Sequence, residues 1–251
     1  MNGQPKVLVA CPTYEGKNYC VDKWIKQVKE LNYSNYDILL VDNTNDGGKN
    51  AKWLSETYGI EVIHHYDKTY PDVKYLMAKC NEIIRKRVLD KGYDYLFSLE
   101  ADVMLKNQNV IAKFINYGIP VVSGVYDIGP IGYSYPLIQQ FFKNVEGGPE
   151  RYFSRQLFWE EIYEHMNGKV KQVYACGIGC TLIDQIVLSK IKFRVDYGHK
   201  HVHADSMFYK DLAGLKVDAY QDTAEYCTHL RNQTWDEVYA IRGIEFEKEV
   251  K

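Results

Sequence analysis

The chain has 251 residues, 46% hydrophobic and 25% charged, a globular composition long enough for one large domain or two small ones. Lys and Arg total 31 against 33 acidic residues, and the net charge of -2 argues against a basic surface that grips nucleic acid. The longest unbroken apolar run, Val7 to Cys11, is far too short to cross a membrane. The opening Met-Asn-Gly-Gln-Pro-Lys also lacks the apolar stretch of a secretory signal. A soluble, cytoplasmic protein is expected.

In chain order, Lys6-Val-Leu-Val-Ala-Cys11 reads as a buried strand ended by Pro12. Val21, Trp24, Ile25, Val28 and Leu31 recur at helical spacing. Asp37-Ile-Leu-Leu-Val-Asp42 is a second buried strand, closed by the turn residues Asn43 to Gly48. Ala51, Trp53, Leu54 and Tyr58 mark a second helix, and Glu61 to His65 a third strand. Leu76, Cys80, Ile83, Ile84 and Val88 mark a longer helix ending near Gly92. Tyr93 to Leu99 is a fourth strand, running straight into Glu100-Ala101-Asp102. Alternating strands and helices predict a mostly parallel sheet covered on both faces, with ligands beyond the carboxyl ends of its strands.

The second half is less regular. Val121 to Tyr126 is a strand, a Gly/Pro/Tyr-rich stretch runs from Asp127 to Pro136, and Glu146-Gly-Gly-Pro149 is a break. Arg151 to Met166 is aromatic and amphipathic. Val173 to Cys176 and Thr181 to Ile183 are strand-like around a Gly-x-Gly, and Asp205 to Leu212 is a helix stopped by Gly214. Without an internal repeat, low-complexity tract or linker, residues 1–251 read as one continuous domain.

Chemistry is expected at the strand ends. Asp42, on the same rim as Thr13 and Glu15, reads equally as a contact for a base and ribose or as a helix cap. Glu100 and Asp102 straddle one residue, a hard-oxygen pair for Mg2+ or Mn2+ or else two solvated acids in a loop. His199, His201 and His203, with Asp205 two residues on, share one face of an extended segment. Three His on one short strand rarely reach a single tetrahedral ion. The six cysteines read as reduced, buried thiols, since Cys176 and Cys180 lack a second Cys or His pair at zinc-site spacing. The 22 Tyr suit a wet cleft or sugar stacking, and equally a plain compositional habit. Neither G-x-x-x-x-G-K-[ST] nor G-x-G-x-x-G follows the first strand, which disfavours P-loop NTPases and dinucleotide dehydrogenases.

Five segments in order resemble the GT-A fold glycosyltransferases, especially the large family-two group: Val7 to Glu15, Ile38 to Asn43, Glu100 to Asp102, Ala175 to Ile183 and Ala204 to Val217. The resemblance implies an α/β, Rossmann-like sheet, with a nucleotide-binding half at about 1–105 and an acceptor-binding half at about 106–251. It places Pro12, Thr13, Tyr14 and Glu15 around the nucleotide and Asp42 on the base. Lys79 would face the diphosphate, with Glu100 and Ala101 nearby. Asp102 would be the direct ligand of Mn2+ or Mg2+, joined by Glu100 and His229. Asp205 would be the base, although Ala204 stands where the family's pair has its first acid. Gly177, Ile178, Gly179, His203 and Ala204 would lie along the donor sugar and acceptor. The implied activity is inverting transfer from a nucleotide-diphosphate sugar, UDP before GDP, to a glycan, lipid-linked or protein acceptor, with peripheral membrane contact compatible. A nucleotidyltransferase and a non-catalytic sugar-nucleotide or glycan-binding module are the rival readings.

Overall fold

Val7, Val9 and Cys11 point to one side of the first strand and Leu8 and Ala10 to the other, and all five are buried. A strand apolar on both faces belongs inside a sheet covered on both sides. The structure is a computed structural model that describes residues 3–70, 72–128, 135–143, 152–196 and 203–230. His199, His201, the Glu146–Pro149 break and much of the Gly/Pro/Tyr-rich stretch lie outside the described residues.

The first half runs β1 (Val7–Thr13), α1 (Asn18–Lys29), β2 (Tyr36–Asp42), α2 (Lys49–Tyr58), β3 (Glu61–His64), α3 (Val73–Asp90), β4 (Tyr95–Leu99) and β5 (Val103–Met104). It continues with α4 (Val110–Asn116), β6 (Val121–Val125), β7 (Asp127–Ile128), β8 (Tyr135–Pro136), β9 (Ile138–Lys143), β10 (Tyr152–Gln156) and α5 (Trp159–His165). The remainder is β11 (Val170–Val173), β12 (Ala175–Cys176), β13 (Cys180–Asp184), α6 (Gln185–Lys190), α7 (Ala204–Gly214), β14 (Ala219–Tyr226) and β15 (Thr228–His229).

Eight strands form one sheet in the order β11-β14-β6-β13-β4-β1-β2-β3. The expected mostly parallel α/β sheet is present: β3, β2, β1 and β4 are parallel, and so are β6 and β14. β13 runs antiparallel between β4 and β6, and β11 lies antiparallel on the β14 edge. The carboxyl ends of β1, β2, β4, β6 and β14 therefore share one rim with the amino end of β13. One core, containing Leu8, Leu39 and Val41, packs beneath residues of α3, α6 and α7; the other, containing Val9, Leu40 and Phe97, packs beneath α1 and α4.

β1 does not stop at Pro12 as its sequence suggests. Pairing with β4 ends at Ala10, while Thr13 faces β2 and its carbonyl accepts from Asn43. Pro12 thus points its missing N–H to the side that has no partner there. β4 begins two residues later than predicted, because Tyr93 closes the end of α3 through its N–H to Val88. All six cysteines are buried and free. Among the described residues no helix is long and apolar enough to cross a membrane.

β12 and β13 are joined by Gly177-Ile178-Gly179, wedged against the buried ring of Tyr126 just beyond β6. A Cβ at Gly177 would lie 1.9 Å from the Tyr126 hydroxyl, and one at Gly179 would lie 2.7 Å from that oxygen and 2.8 Å from the Glu100 carboxyl carbon. Bare backbone is required at both places.

Gly177→Ala overpacks the turn and should lower unfolding free energy by about 1–3 kcal/mol, seen as a reduced urea midpoint; an unchanged midpoint would contradict the packing. His165, at the end of α5, is 6% exposed, and burial, then the charge of Lys171, pushes it down to about 4. It is neutral in both states above its unfolded pKa near 6.5. As pH falls toward about 4 the unfolded chain takes up the proton first, so stability drops by at most about 3 kcal/mol. His165→Gln should shrink that loss between pH 7 and pH 4.5, and equal losses in both proteins would remove His165 as its source.

Candidate active site

Thr13 and Asp42 end β1 and β2 as register partners. Asp42 is fully buried, and its Oδ1 accepts from the Thr44 hydroxyl and the Asn50 amide, each at 2.8 Å. Asp42 is not the cap of α2. The N-cap residue is Gly48, and the N–H groups of Gly48, Lys49 and Asn50 donate to Asp46 at 2.9, 3.1 and 2.6 Å. Asp42 Oδ2 and the Thr13 hydroxyl, both buried, have no hydrogen-bond partner. Such groups are expensive to leave bare, so the pair is suited to a ligand that brings its own N–H donor and acceptor. The loop above is tied down where the Glu15 N–H donates to the Thr44 hydroxyl at 2.9 Å, while Tyr14 is 44% exposed.

The second carboxylate centre follows β4. The Glu100 N–H donates to the Gly179 carbonyl at 2.9 Å, and the Val103 N–H closes the turn onto the Glu100 carbonyl at 3.0 Å. Ala101 is held by the Cys20 thiol of α1. Asp102 is 3% exposed, and its carbonyl accepts from Leu230 at 2.7 Å. β15 pairs with β5 and sets His229 opposite Val103. Its Nδ1 donates to the Asp127 carbonyl at 2.7 Å, which turns Nε2 toward Asp102 Oδ2 at 3.1 Å. The Lys17 ammonium, from the short turn between β1 and α1, pairs with the same Oδ2.

The charges follow from these contacts. Burial, with the Asp102 charge second, pushes the Glu100 carboxyl up to about 7. Burial would also raise Asp102, but the His229 bond and the Lys17 charge outweigh it and hold Asp102 below the ordinary carboxylate range. His229 is raised in turn, since its bond to Asp102 outweighs the desolvation of its charged form. Ligand atoms of Glu100, Asp102 and His229 all lie within 4.8 Å of one another. Two carboxylates and an imidazole oriented through its other nitrogen suit a divalent ion such as Mn2+.

Tyr126 completes the floor. Its hydroxyl accepts from the Gly179 N–H at 2.9 Å, and its ring meets His229 edge-on with centroids 5.6 Å apart. Asp205 lies in the first turn of α7, half-exposed, with Oδ1 accepting from the Ser206 N–H at 2.7 Å. Its charge is felt by Glu100, Tyr126 and Cys176, so it borders the same cleft. Ile178 and Ala204 are buried and His203 is exposed. Lys79 stands near His65, whose charged form it disfavours, on the β3 side of the rim.

The structure thus joins Glu100, Asp102 and His229, with Gly179 and Asp205 beside them, and pairs Thr13 with Asp42. Lys17 is the cleft position that sequence reasoning missed, and that reasoning placed Tyr126 only in the acceptor half, not against Gly179 and His229. Tyr126 was within reach of it, because the residue ending the Val121–Tyr126 strand falls on the carboxyl rim. Lys17 has no such signal, being an ordinary loop lysine until the fold sets it against Asp102.

No protein-family model and no curated sequence matches the chain. Among solved structures it is similar to the mannosyltransferase PcManGT from Pyrobaculum calidifontis in complex with GDP-Man and Mn2+, at 13% identity and a TM-score of 0.62 over 96% of this chain. It is also similar to GalNAc-T7 with UDP, GalNAc and Mn2+, at 10% identity and a TM-score of 0.60 over 94% of this chain. The chain spans 61% of the first protein's length and 46% of the second's. At these identities the likeness is one of fold: the chain has the architecture of the GT-A-type glycosyltransferases.

Proposed function

We propose that the chain is an inverting, metal-dependent glycosyltransferase that moves a sugar from a nucleotide-diphosphate sugar, UDP before GDP, to an acceptor hydroxyl. The observation that carries this reading is the meeting of Glu100, Asp102 and His229 within 4.8 Å, beside Asp205, on the rim where Asp42 and Thr13 keep unpartnered buried atoms. A binding module has no use for a carboxylate placed as Asp205 is, which favours the enzyme over a non-catalytic sugar-nucleotide protein.

Asp42 Oδ2 takes an N–H of the base, and the Thr13 hydroxyl takes a neighbouring polar atom. Glu100, Asp102 and His229 would hold Mn2+ or Mg2+, which when bound offsets the charge of the departing diphosphate. Asp205 accepts the acceptor's hydroxyl proton as that oxygen bonds to the anomeric carbon. The bond from that carbon to the diphosphate breaks, and the nucleoside diphosphate leaves with the electron pair. Attack from the face opposite the leaving group inverts the centre. Tyr126 and the glycines beneath it shape the floor without taking up a proton.

The acceptor side is assigned to the region from Tyr126 to Met166 and to the segment after His229 with Trp235, which from residue 231 on lies outside the described residues. Phe158, Trp159 and Tyr163 are 65%, 64% and 85% exposed in the first of these, rings that suit the apolar face of a glycan. The acceptor is a glycan end, a lipid carrier or a protein hydroxyl. Six buried, unpaired thiols agree with a cytoplasmic setting.

Calorimetric titration with UDP, GDP and dTDP, each with Mn2+ and with EDTA, should show one nucleotide binding only with the metal. Asp102→Ala should weaken that binding at least about tenfold, as loss of a charged ligand requires. A folded protein that binds none of the three would overturn the site. With the donor known, Asp205→Asn should slow transfer by roughly 10²–10⁴-fold at unchanged nucleotide affinity. Transfer at the wild-type rate would remove Asp205 as the base.

A further inference from the structure

Asp102 Oδ2 has a cation of the chain's own against it. The Lys17 ammonium pairs with it while His229 Nε2 approaches the same oxygen at 3.1 Å. Lys17 belongs to the turn Glu15–Lys17, which needs no lysine for its own sake. The turn is closed by backbone, Lys17 N–H to Tyr14 carbonyl at 2.8 Å, and the Lys17 carbonyl accepts the Cys20 thiol at 3.1 Å. The side chain, 31% exposed, reaches from the open mouth onto a carboxylate that is 5% exposed. α1 starts immediately afterwards with no side-chain cap and no acidic residue in its first turn, so the positive end of its dipole lies at Lys17 itself.

We propose that Lys17 is a resident counter-cation that holds Asp102 and passes to the donor's diphosphate when a divalent ion takes over that oxygen. The inference rests on reading the cleft as a nucleotide-sugar site. An ammonium and a divalent ion a few ångströms apart on the one oxygen Oδ2 repel each other. Metal arriving alone must therefore displace Lys17 without offering it another anion. Metal arriving with a diphosphate supplies the displaced ammonium with a phosphate oxygen, within the swing of a flexible four-carbon stem. Lys17 in this way couples the two ligands: it opposes bare metal and favours metal with nucleotide. It acts on Asp102 and on the bound diphosphate, and not on the reacting carbon.

The test titrates Mn2+ alone, and then UDP and GDP at saturating Mn2+, into the full chain and its K17Q and K17R variants. K17Q should bind Mn2+ alone about tenfold more tightly than wild type and bind the preferred nucleotide about tenfold more weakly, the scale of one charge-assisted hydrogen bond. K17R, which keeps the charge, should follow wild type on the Mn2+ arm. A merely structural role would weaken both ligands together, so opposite signs are the signature. Mn2+ affinity in K17Q equal to or below wild type, with wild-type nucleotide binding intact, would overturn the exchange and leave the site standing. A wild-type protein that binds neither nucleotide would overturn the site reading and the exchange with it. If K17Q fails to fold, K17R binding Mn2+ more tightly than wild type would overturn the exchange and K17R matching wild type would support it.

Discussion

A carboxylate withdrawn from water has to be met by charge, and Asp102 sets that demand for the whole rim. It is met from both ends of the chain, by Lys17 after β1 and by His229 in β15. Each partner requires its own support. His229 is aimed by the Asp127 carbonyl, which lies just past β6, and β15 is held in place by its ladder with β5. Asp102 therefore keeps its place only if the ends of β1, β4, β6 and β14 converge, which the strand order secures.

The antiparallel strand β13 closes this arrangement from below. Because it runs against β4 and β6, its amino end meets their carboxyl ends, and the Gly177–Gly179 turn falls under Glu100 and Tyr126. Side chains are excluded there by contact, so the floor is backbone and one phenol. Across β1 the balance is opposite: Asp102 has two basic partners on one oxygen, whereas Asp42 has its cap-like neighbours on Oδ1 and nothing on Oδ2. The site is thus supplied with cation at one end and short of a hydrogen-bond donor at the other.

The first half was legible because its strands are apolar on both faces and its helices carry long stripes, as in Val21, Trp24, Ile25 and Val28. The rule that ligands gather at carboxyl ends then singled out Thr13, Asp42, Glu100 and Asp102. The second half was harder to read. β5, β12 and β15 are two residues each, too short to show any period, and β13 has no marker of its direction. Pro12 misled because whether a proline ends a strand depends on which neighbour its nitrogen faces.

The sequence by itself determined the secondary elements of the sheet and the residue types waiting at their ends, since periodicity and turn chemistry act over a few residues. Only the tertiary structure decided that Lys17, Asp102 and His229 meet, the first two 85 positions apart in the chain and the last two 127. It also decided that Asp46 takes the first N–H groups of α2 and so frees Asp42. Local pattern says which face of a segment is buried. Which remote groups share one oxygen is settled by strand order and by the requirement that no buried charge stand alone.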